Sequence, residues 1–218
     1  MSENGTAAYD GLTGLPPLVQ RAVGLARREG FGNSCRPEHG RLLLALAAGA
    51  AAIGETGTGC GVGLAWLASG ARPGTRLVSV EIDAERAGLA TRVFSDVPQV
   101  TVIHGGWPEI CAEAPFDLLI LDGGAHGKAP GSAAGAEALL RPGGTVVIDD
   151  LTPATSWPPR FQGRLDAARM DWMTRAGFDA TELRLAPDLA ALVATRRMNT
   201  PGPVSCRRAG STAPQTGT

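Results

Sequence analysis

Short apolar runs alternate with helical segments along most of this chain, and this alternation limits the possible folds more than any other feature. Runs of this kind suit strands that are buried on both faces of a sheet. When they alternate with helices, the expected architecture is a parallel sheet covered by helices. The predicted strands are 51–55, 77–81, 100–103, 117–121 and 145–149, and the predicted helices are 38–48, 61–69, 84–94, 132–140 and 164–176.

The end of the domain departs from this alternation. Two strand-like runs, 178–185 and 189–194, are joined by a short link and predict an antiparallel hairpin. We therefore expect an α/β fold: a single-domain, Rossmann-like, doubly wound sheet that is mostly parallel and carries a C-terminal antiparallel hairpin strand. A chain of 218 residues fits one such core.

The two ends of the chain differ from the middle in composition. Residues 1–14 are polar and Gly-rich and are predicted to be disordered or loosely helical, and residues 198–218 are predicted to form a disordered tail. The domain is therefore placed at 15–197.

Charge and hydropathy exclude several classes of partner. The net charge is -1 and 19% of the residues are charged, so we expect no nucleic-acid partner. No charged start is followed by an apolar run, and no apolar stretch approaches the length of a membrane span, so we expect a cytoplasmic protein without a membrane partner. The sequence leaves homodimer formation open.

A Gly-rich segment at 53–63 follows a predicted strand and leads into a helix. Glycines let the backbone turn sharply and approach a ligand, and a helix N-terminus offers free N–H groups. Glu81 ends the next strand 22 residues beyond Gly59, near the spacing at which an acid meets ribose hydroxyls. A dinucleotide fingerprint needs Gly or Ala where this chain has Val62 or Leu64, which disfavours NAD.

The spacing within this loop resembles the E-x-G-x-G-x-G loop of class I S-adenosylmethionine (SAM)-dependent methyltransferases. Segments 115–122 and 139–144 look like later strand motifs of that family, in the same order, so the resemblance covers roughly 38–196. The loop residues that carry it are Glu55, Gly57, Gly59 and Gly61.

The resemblance implies SAM as the cofactor. The methionine part would lie along the glycine loop, Glu81 would bind the ribose hydroxyls, Gly106 and Trp107 would border the adenine, and Asp122 would lie near the sulfonium. The implied cofactor-binding residues are Glu55, Gly57, Thr58, Gly59, Gly61, Glu81, Ile82, Gly106, Trp107 and Asp122.

Within the family, segments 121–122 and 143–150 look most like the catechol and caffeoyl-CoA O-methyltransferase group, which uses a divalent metal. The resemblance implies that Asp122, Asp149 and Asp150 would hold a cation such as Mg²⁺, which would bind a substrate hydroxylate. That group has Asn at the position of Asp150, and three carboxylates overcompensate a divalent ion. Alternatively, Asp149 or Asp150 caps the following loop, so metal use stays open.

The candidate catalytic residues are Asp122, His126 and Lys128. The resembled group places a lysine three residues after its first metal-binding Asp, where this chain has Ala125. Lys128 comes six residues after Asp122 and is the chain's single lysine. His126 suits a general base equally well, because imidazole titrates near neutrality. His39, at a helix start, is expected to be structural.

These observations predict a SAM-dependent methyltransferase that O-methylates a small-molecule hydroxyl. The acceptor would be recognised by 34–38 and by the loop 152–159, in which Trp157 would form an apolar wall. One alternative is an aminopropyltransferase-like enzyme, which would need an acidic polyamine groove. A Rossmann dehydrogenase is disfavoured by the missing glycine, and a non-catalytic SAM-binding module is compatible with the altered 122–128 loop.

Overall fold

A computed structural model describes residues 4–122, 127–129 and 131–198. Seven strands form the main sheet, in the order β3-β2-β1-β4-β5-β9-β8, and two short strands, β6 and β7, form a separate hairpin. The strands are β1 Ala52–Thr56, β2 Arg76–Glu81, β3 Val100–His104, β4 Phe116–Leu121, β5 Leu140–Leu151, β6 Arg160–Phe161, β7 Arg164–Leu165, β8 Phe178–Ala186 and β9 Leu189–Arg196.

The strand directions match the predicted architecture. Strands β1 to β5 run parallel, whereas β9 is antiparallel to both of its neighbours, β5 and β8. The predicted mostly parallel sheet with a terminal antiparallel hairpin is confirmed. At the centre, Thr56 of β1 pairs with Val80 of β2 and Leu121 of β4, so the carboxyl ends of three strands meet at one edge. In open α/β sheets this edge is where ligands bind.

Helices cover both faces of the sheet. Leu118 and Ile120 point into the cluster formed with α1 to α4, and the alternate residues Leu119 and Leu121 point into the cluster formed with α5 and α6. The helices are α1 Pro17–Arg28, α2 Pro37–Ala47, α3 Val62–Gly70, α4 Ala84–Val93, α5 Ser132–Leu139 and α6 Ala167–Thr174, with 3₁₀ helices at Ala7–Tyr9 and Trp107–Glu113.

Helix α1 is absent from the sequence-based prediction. It buries Val19, Ala22, Val23 and Ala26, which follow the i, i+3, i+4, i+7 spacing of one helix face. Pro17 at its start is a residue that helices favour at the first position. The signal for this helix was therefore present in the sequence.

The predicted helix 164–176 begins too early. Asp166 caps α6 by accepting a hydrogen bond from the backbone N of Arg169 at 2.9 Å, so the helix starts at Ala167. The three preceding positions were wrongly assigned, because β7 pairs with β6 there. Gln162 and Gly163 form the turn between them, both at positive φ.

The start of the chain, predicted to be disordered or loosely helical, packs against the core at Tyr9. This side chain is buried and donates a hydrogen bond from its hydroxyl to the carbonyl of Cys35 at 2.7 Å. Trp66 Nε1 in turn donates to the Tyr9 hydroxyl at 2.8 Å. The predicted tail lies outside the described residues from 199 onward. No helix in the described part of the chain is long and apolar enough to cross a membrane.

Candidate cofactor and methyl-transfer site

The loop after β1 takes its shape from three glycines. Gly57, Gly59 and Gly61 have φ values of 86°, 54° and 85°, in the left-handed region that side chains disfavour. The backbone N of Gly57 donates to the carbonyl of Val80 at 2.8 Å, which holds the loop against β2. Because Gly61 immediately precedes α3, the loop ends at the free N–H groups of a helix N-terminus.

Glu81 lies buried beneath this loop at the end of β2. Its Oε2 accepts a hydrogen bond from the backbone N of Gly59 at 2.7 Å, and its Oε1 accepts one from the backbone N of Asp83 at 3.0 Å. These bonds fix the carboxylate at the carboxyl edge of the sheet. The next residue, Ile82, is 74% exposed and offers apolar surface beside it.

Glu55, the last residue but one of β1, lines a cleft beside this loop. Its Oε2 accepts a hydrogen bond from Ser79 Oγ at 2.5 Å. Burial, together with the nearby Asp122 and Asp149 carboxyls, holds the pKa of Glu55 well above its usual range despite that bond. A positively charged ligand in this cleft would relieve the repulsion among these groups.

The cleft brings together residues from three parts of the chain. Four predicted cofactor-binding residues line it, along with a segment that precedes α2. Thr6 Oγ1 donates to the carbonyl of Phe31 at 2.6 Å and so holds that segment in place. The lining consists of Phe31, Asn33, Ser34, Cys35, Glu55, Gly57, Thr58, Cys60, Val62, Gly63 and Asp122.

A second, mainly apolar cavity of about 170 Å³ lies beside the end of β4. Trp107, predicted to border the adenine, is 40% exposed and forms one wall. Gly106 precedes it as the cap of the second 3₁₀ helix. The other lining residues are Leu121, Gly127, Gly131, Ser132, Gly135, Ala136 and Leu139. Several of them are small, so a flat apolar group would fit here.

Two acidic side chains meet where β4 and β5 end. Asp122 is hydrogen-bonded to Asp149, and burial together with the charge of Asp149 holds the pKa of Asp122 well above its usual range. Burial opposes ionisation of Asp149 as well, but His39, Lys128 and the bond from Asp122 outweigh it and lower the pKa of Asp149. His39 Nδ1 lies 3.6 Å from Asp149 Oδ2, a contact that no sequence motif predicts.

Lys128 lies on the other side of Asp149. Its Nζ is 3.6 Å from Asp149 Oδ1 and 4.0 Å from Asp150 Oδ2. The preceding residue, Gly127, is buried with φ +81°, and a Cβ there would lie 2.7 Å from Ile148 Cγ1. Trp172 Nε1 donates to the Gly127 carbonyl at 2.7 Å. The backbone that carries Lys128 is therefore held in place by α6 and β5.

Asp150 stands at an irregularity of β5. The register with β9 shifts between Ile148 and Leu151, and Asp150 has φ +54°. Asp and Asn adopt this left-handed conformation more readily than other side chains. This backbone conformation therefore suits the Asp of this chain, as it would suit an Asn at the same position.

A larger cavity of about 490 Å³ opens next to Lys128. The β6–β7 hairpin supplies two of its apolar walls, Phe161 and Leu165, which are 53% and 52% exposed. Gln162, Arg164, Asp166, Ala167 and Ala168 complete the lining. Trp157, predicted as the apolar wall, is instead 69% exposed and is not among the residues that line this cavity.

Comparison with known proteins agrees with this architecture. The sequence model of a family described as a methyltransferase domain matches residues 55–151. A Mycobacterium tuberculosis protein named as an O-methyltransferase is 34% identical over 157 residues, which cover 69% of this chain and 69% of that relative. This chain belongs to the methyltransferase family.

A second relative extends the comparison. A Mycobacteroides abscessus protein, also named as an O-methyltransferase, is 38% identical over 122 residues, covering 51% of this chain. The match spans 56% of that protein, little more than half its length.

Solved methyltransferase structures share the fold. The Bacillus cereus O-methyltransferase in complex with SAH superimposes with a TM-score of 0.69 at 21% identity, covering 88% of this chain and 96% of that one. The Streptomyces achromogenes O-methyltransferase TomG in complex with SAM gives 0.69 at 22% identity, covering 90% and 100%. At these identities the likeness establishes the fold alone.

The predicted metal ligands are not arranged as a metal site. Within residues 4–122, 127–129 and 131–198, no three His, Cys, Asp or Glu side chains gather so as to hold a metal ion. The Lys128 ammonium faces Asp149 and Asp150 instead. This methyltransferase therefore does not fit the implied metal in the arrangement described. His126, the other candidate base, lies outside the described residues.

Sequence reasoning missed two parts of the site. The segment 31–35 contributes to the cleft, but only its last two residues fall within the predicted recognition segment 34–38. No motif marks it, because its position depends on contacts with the distant residues Thr6 and Tyr9. The β6–β7 hairpin did have a signal, since Gln162-Gly163 separates two short strands and Gly is typical of two-residue turns.

Proposed function

We propose that this protein transfers a methyl group from SAM to the hydroxyl oxygen of a small molecule. One line of contacts carries the proposal. Asp122 lines the glycine-loop cleft and is hydrogen-bonded to Asp149, which pairs with Lys128, and Lys128 lines the 490 Å³ cavity. A methyl donor in the cleft and an acceptor in the cavity would thus meet at this line of charged groups.

The cofactor would lie along the carboxyl edge of the sheet. Its methionine part would follow Gly57 to Gly59, its ribose hydroxyls would bond to Glu81, and its adenine would enter the 170 Å³ cavity that Trp107 lines. The carboxyls of Glu55 and Asp122, which both line the cleft, would favour a positively charged ligand there. The Bacillus cereus and Streptomyces achromogenes enzymes, which share this fold, are in complex with SAH and SAM, and this supports SAM as the cofactor.

Methyl transfer requires little of the protein beyond alignment of the acceptor oxygen with the methyl group of SAM. The acceptor oxygen attacks the methyl carbon, the new O–CH₃ bond forms as the S–CH₃ bond breaks, and the electron pair of that bond stays on sulfur, giving S-adenosylhomocysteine. The hydroxyl proton must leave, and His126 stays the sequence-based prediction for the base that takes it. Holding donor and acceptor in line is the main contribution to the rate.

The remaining parts of the proposal concern partners. The acceptor is taken to be a small molecule in the cytoplasm, with no nucleic-acid or membrane partner, and a homodimer stays a prediction. The 490 Å³ cavity is of the size that small ligands occupy. It is lined by apolar, basic and acidic side chains, so it is not the acidic groove that a polyamine substrate would need.

Calorimetric titration of the purified protein with SAM, S-adenosylhomocysteine, decarboxylated SAM and NAD tests the cofactor. Binding of SAM and its product, but not of NAD, is expected. Preference for decarboxylated SAM would favour the aminopropyltransferase alternative, and binding of NAD alone would refute the proposal. Transfer from methyl-labelled SAM to a panel of phenols, aliphatic alcohols, carboxylates and amines then identifies the acceptor atom, with labelled phenol or alcohol expected.

A further inference from the structure

The position of Lys128 has a consequence for the cofactor requirement. The resemblance implies a divalent cation held by Asp122, Asp149 and Asp150, yet the ammonium of Lys128 lies 3.6 Å from Asp149 Oδ1 and 4.0 Å from Asp150 Oδ2. It is the chain's single lysine among 20 Lys and Arg residues. A cation is therefore already supplied by the protein at two of the three implied ligands.

This placement is built into the fold. Gly127 is buried, its positive φ and close approach to Ile148 exclude a side chain, and its carbonyl is held by Trp172. The Lys128 side chain is 24% exposed, whereas that of Asp149 is 2% exposed. The ammonium thus stands between a buried carboxylate and the open 490 Å³ cavity.

Charge argues against a metal at the same place. A divalent cation bound by Asp149 and Asp150 would lie within a few ångströms of the ammonium, and like charges at that separation repel each other. A metal at these carboxylates would therefore have to bind against the charge of the Lys128 ammonium.

We propose that the Lys128 ammonium takes the place of the divalent cation, so that this methyltransferase works without a metal. The inference rests on the proposed function for the identity of the reaction. The ammonium would face the acceptor oxygen and stabilise the negative charge that develops as its proton leaves. It is not consumed, because the methyl group passes from sulfur to oxygen and the released proton goes to a base or to water.

Metal binding provides a test that does not need the acceptor. Wild-type protein, Lys128→Met and the control Arg92→Ala are treated with EDTA, dialysed and titrated with Mn²⁺ in the presence of S-adenosylhomocysteine. Arg92 is exposed on α4, so its loss changes the net charge as Lys128→Met does but leaves the carboxylates untouched. Lys128→Gln serves as a second variant if Lys128→Met fails to fold.

The expected result is no specific Mn²⁺ binding by wild type or by Arg92→Ala, and a gain in affinity of at least about tenfold on loss of the ammonium. Binding of one Mn²⁺ by wild type that is lost in Asp149→Asn would overturn the proposal. The proposal would also be overturned if Lys128→Met or Lys128→Gln bound Mn²⁺ no better than wild type. The ammonium would then not occupy a place that a metal ion could take. Failure of the proposed function would appear separately, as absence of SAM binding.

Methyl transfer supplies the second readout once an acceptor is known. Turnover by wild type should be unchanged by EDTA within about twofold, and Lys128→Arg should retain more activity than Lys128→Met because it keeps the positive charge. Loss of turnover under EDTA that added Mg²⁺ restores would contradict the proposal.

Discussion

The two sides of the sheet's carboxyl edge are built in different ways. On the β1–β2 side, the glycine loop and Glu81 are held by backbone hydrogen bonds and by φ values that only glycine adopts easily. On the β4–β5 side, Asp122, Asp149 and Lys128 are held by their charges and by contacts with distant residues. A site shaped by the backbone can be recognised from the spacing of its residues in the sequence. A site formed by side-chain contacts between distant residues has no such spacing.

The largest effect should come from the backbone-built side. Glu81→Ala removes the carboxylate that would bind the ribose and that accepts from Gly59. Because a hydrogen bond to a charged group contributes about 1.5–3 kcal/mol, SAM affinity should fall by about 10- to 100-fold. Calorimetry measures this, with Glu85→Ala, exposed in the first turn of α4, as the matched control. Equal affinities of both variants for SAM would refute the role of Glu81.

A smaller effect should distinguish the β4–β5 side of the site from the β1–β2 side. Trp172→Phe leaves the Gly127 carbonyl without its 2.7 Å bond, so the free energy of unfolding should fall by about 1–3 kcal/mol. SAM affinity should change by less than about threefold, because the glycine-loop cleft is untouched and Gly127 is only one of the eight residues that line the 170 Å³ cavity, while methyl transfer should fall as Lys128 is released.

Trp66→Phe is the matched control for that variant. It removes an equivalent indole hydrogen bond, to the Tyr9 hydroxyl at 2.8 Å, on the side that supports Cys35 and the cofactor cleft. Denaturant titration and calorimetry together compare the two variants. If Trp172→Phe weakened SAM binding as much as Trp66→Phe, the two sides would not be separable.

The smallest effect concerns the bulge in β5. Asp150→Asn should leave stability within about 0.5 kcal/mol, because Asn tolerates φ +54°, whereas Asp150→Ala should cost about 1 kcal/mol. Thermal unfolding of both variants checks this. Equal destabilisation would indicate that the Asp150 carboxylate itself, rather than its backbone conformation, stabilises the fold.

The same contrast explains how far the sequence predicted the structure. The seven sheet strands and the glycine loop were predictable because buried strands need continuous apolar runs and the loop needs glycines. Helix α1 was predictable from Val19, Ala22, Val23 and Ala26 but was overlooked. The pairing of His39 with Asp149 was not predictable, since 110 positions separate the two residues and only the folded sheet brings them to 3.6 Å.

The candidate catalytic residues could be named from the sequence, but their contacts with one another could not. Asp122 and Lys128 were named from their place in the sequence, and the structure connects them through Asp149. The arrangement of Lys128 facing Asp149 and Asp150 was not foreseen, because it depends on Gly127 and Trp172 fixing the loop. The 490 Å³ cavity depends on a hairpin whose second strand, β7, falls within the predicted helix 164–176.

A single lysine at this position also gives the protein a natural attachment point. An activated ester or aldehyde reporter reacts with side-chain amines, and here only one side chain carries such an amine. With its side chain 24% exposed beside the 490 Å³ cavity, Lys128 can be modified without prior mutagenesis. A fluorophore placed there would sense occupancy of the cavity directly, so acceptors could be screened by emission before any product is isolated.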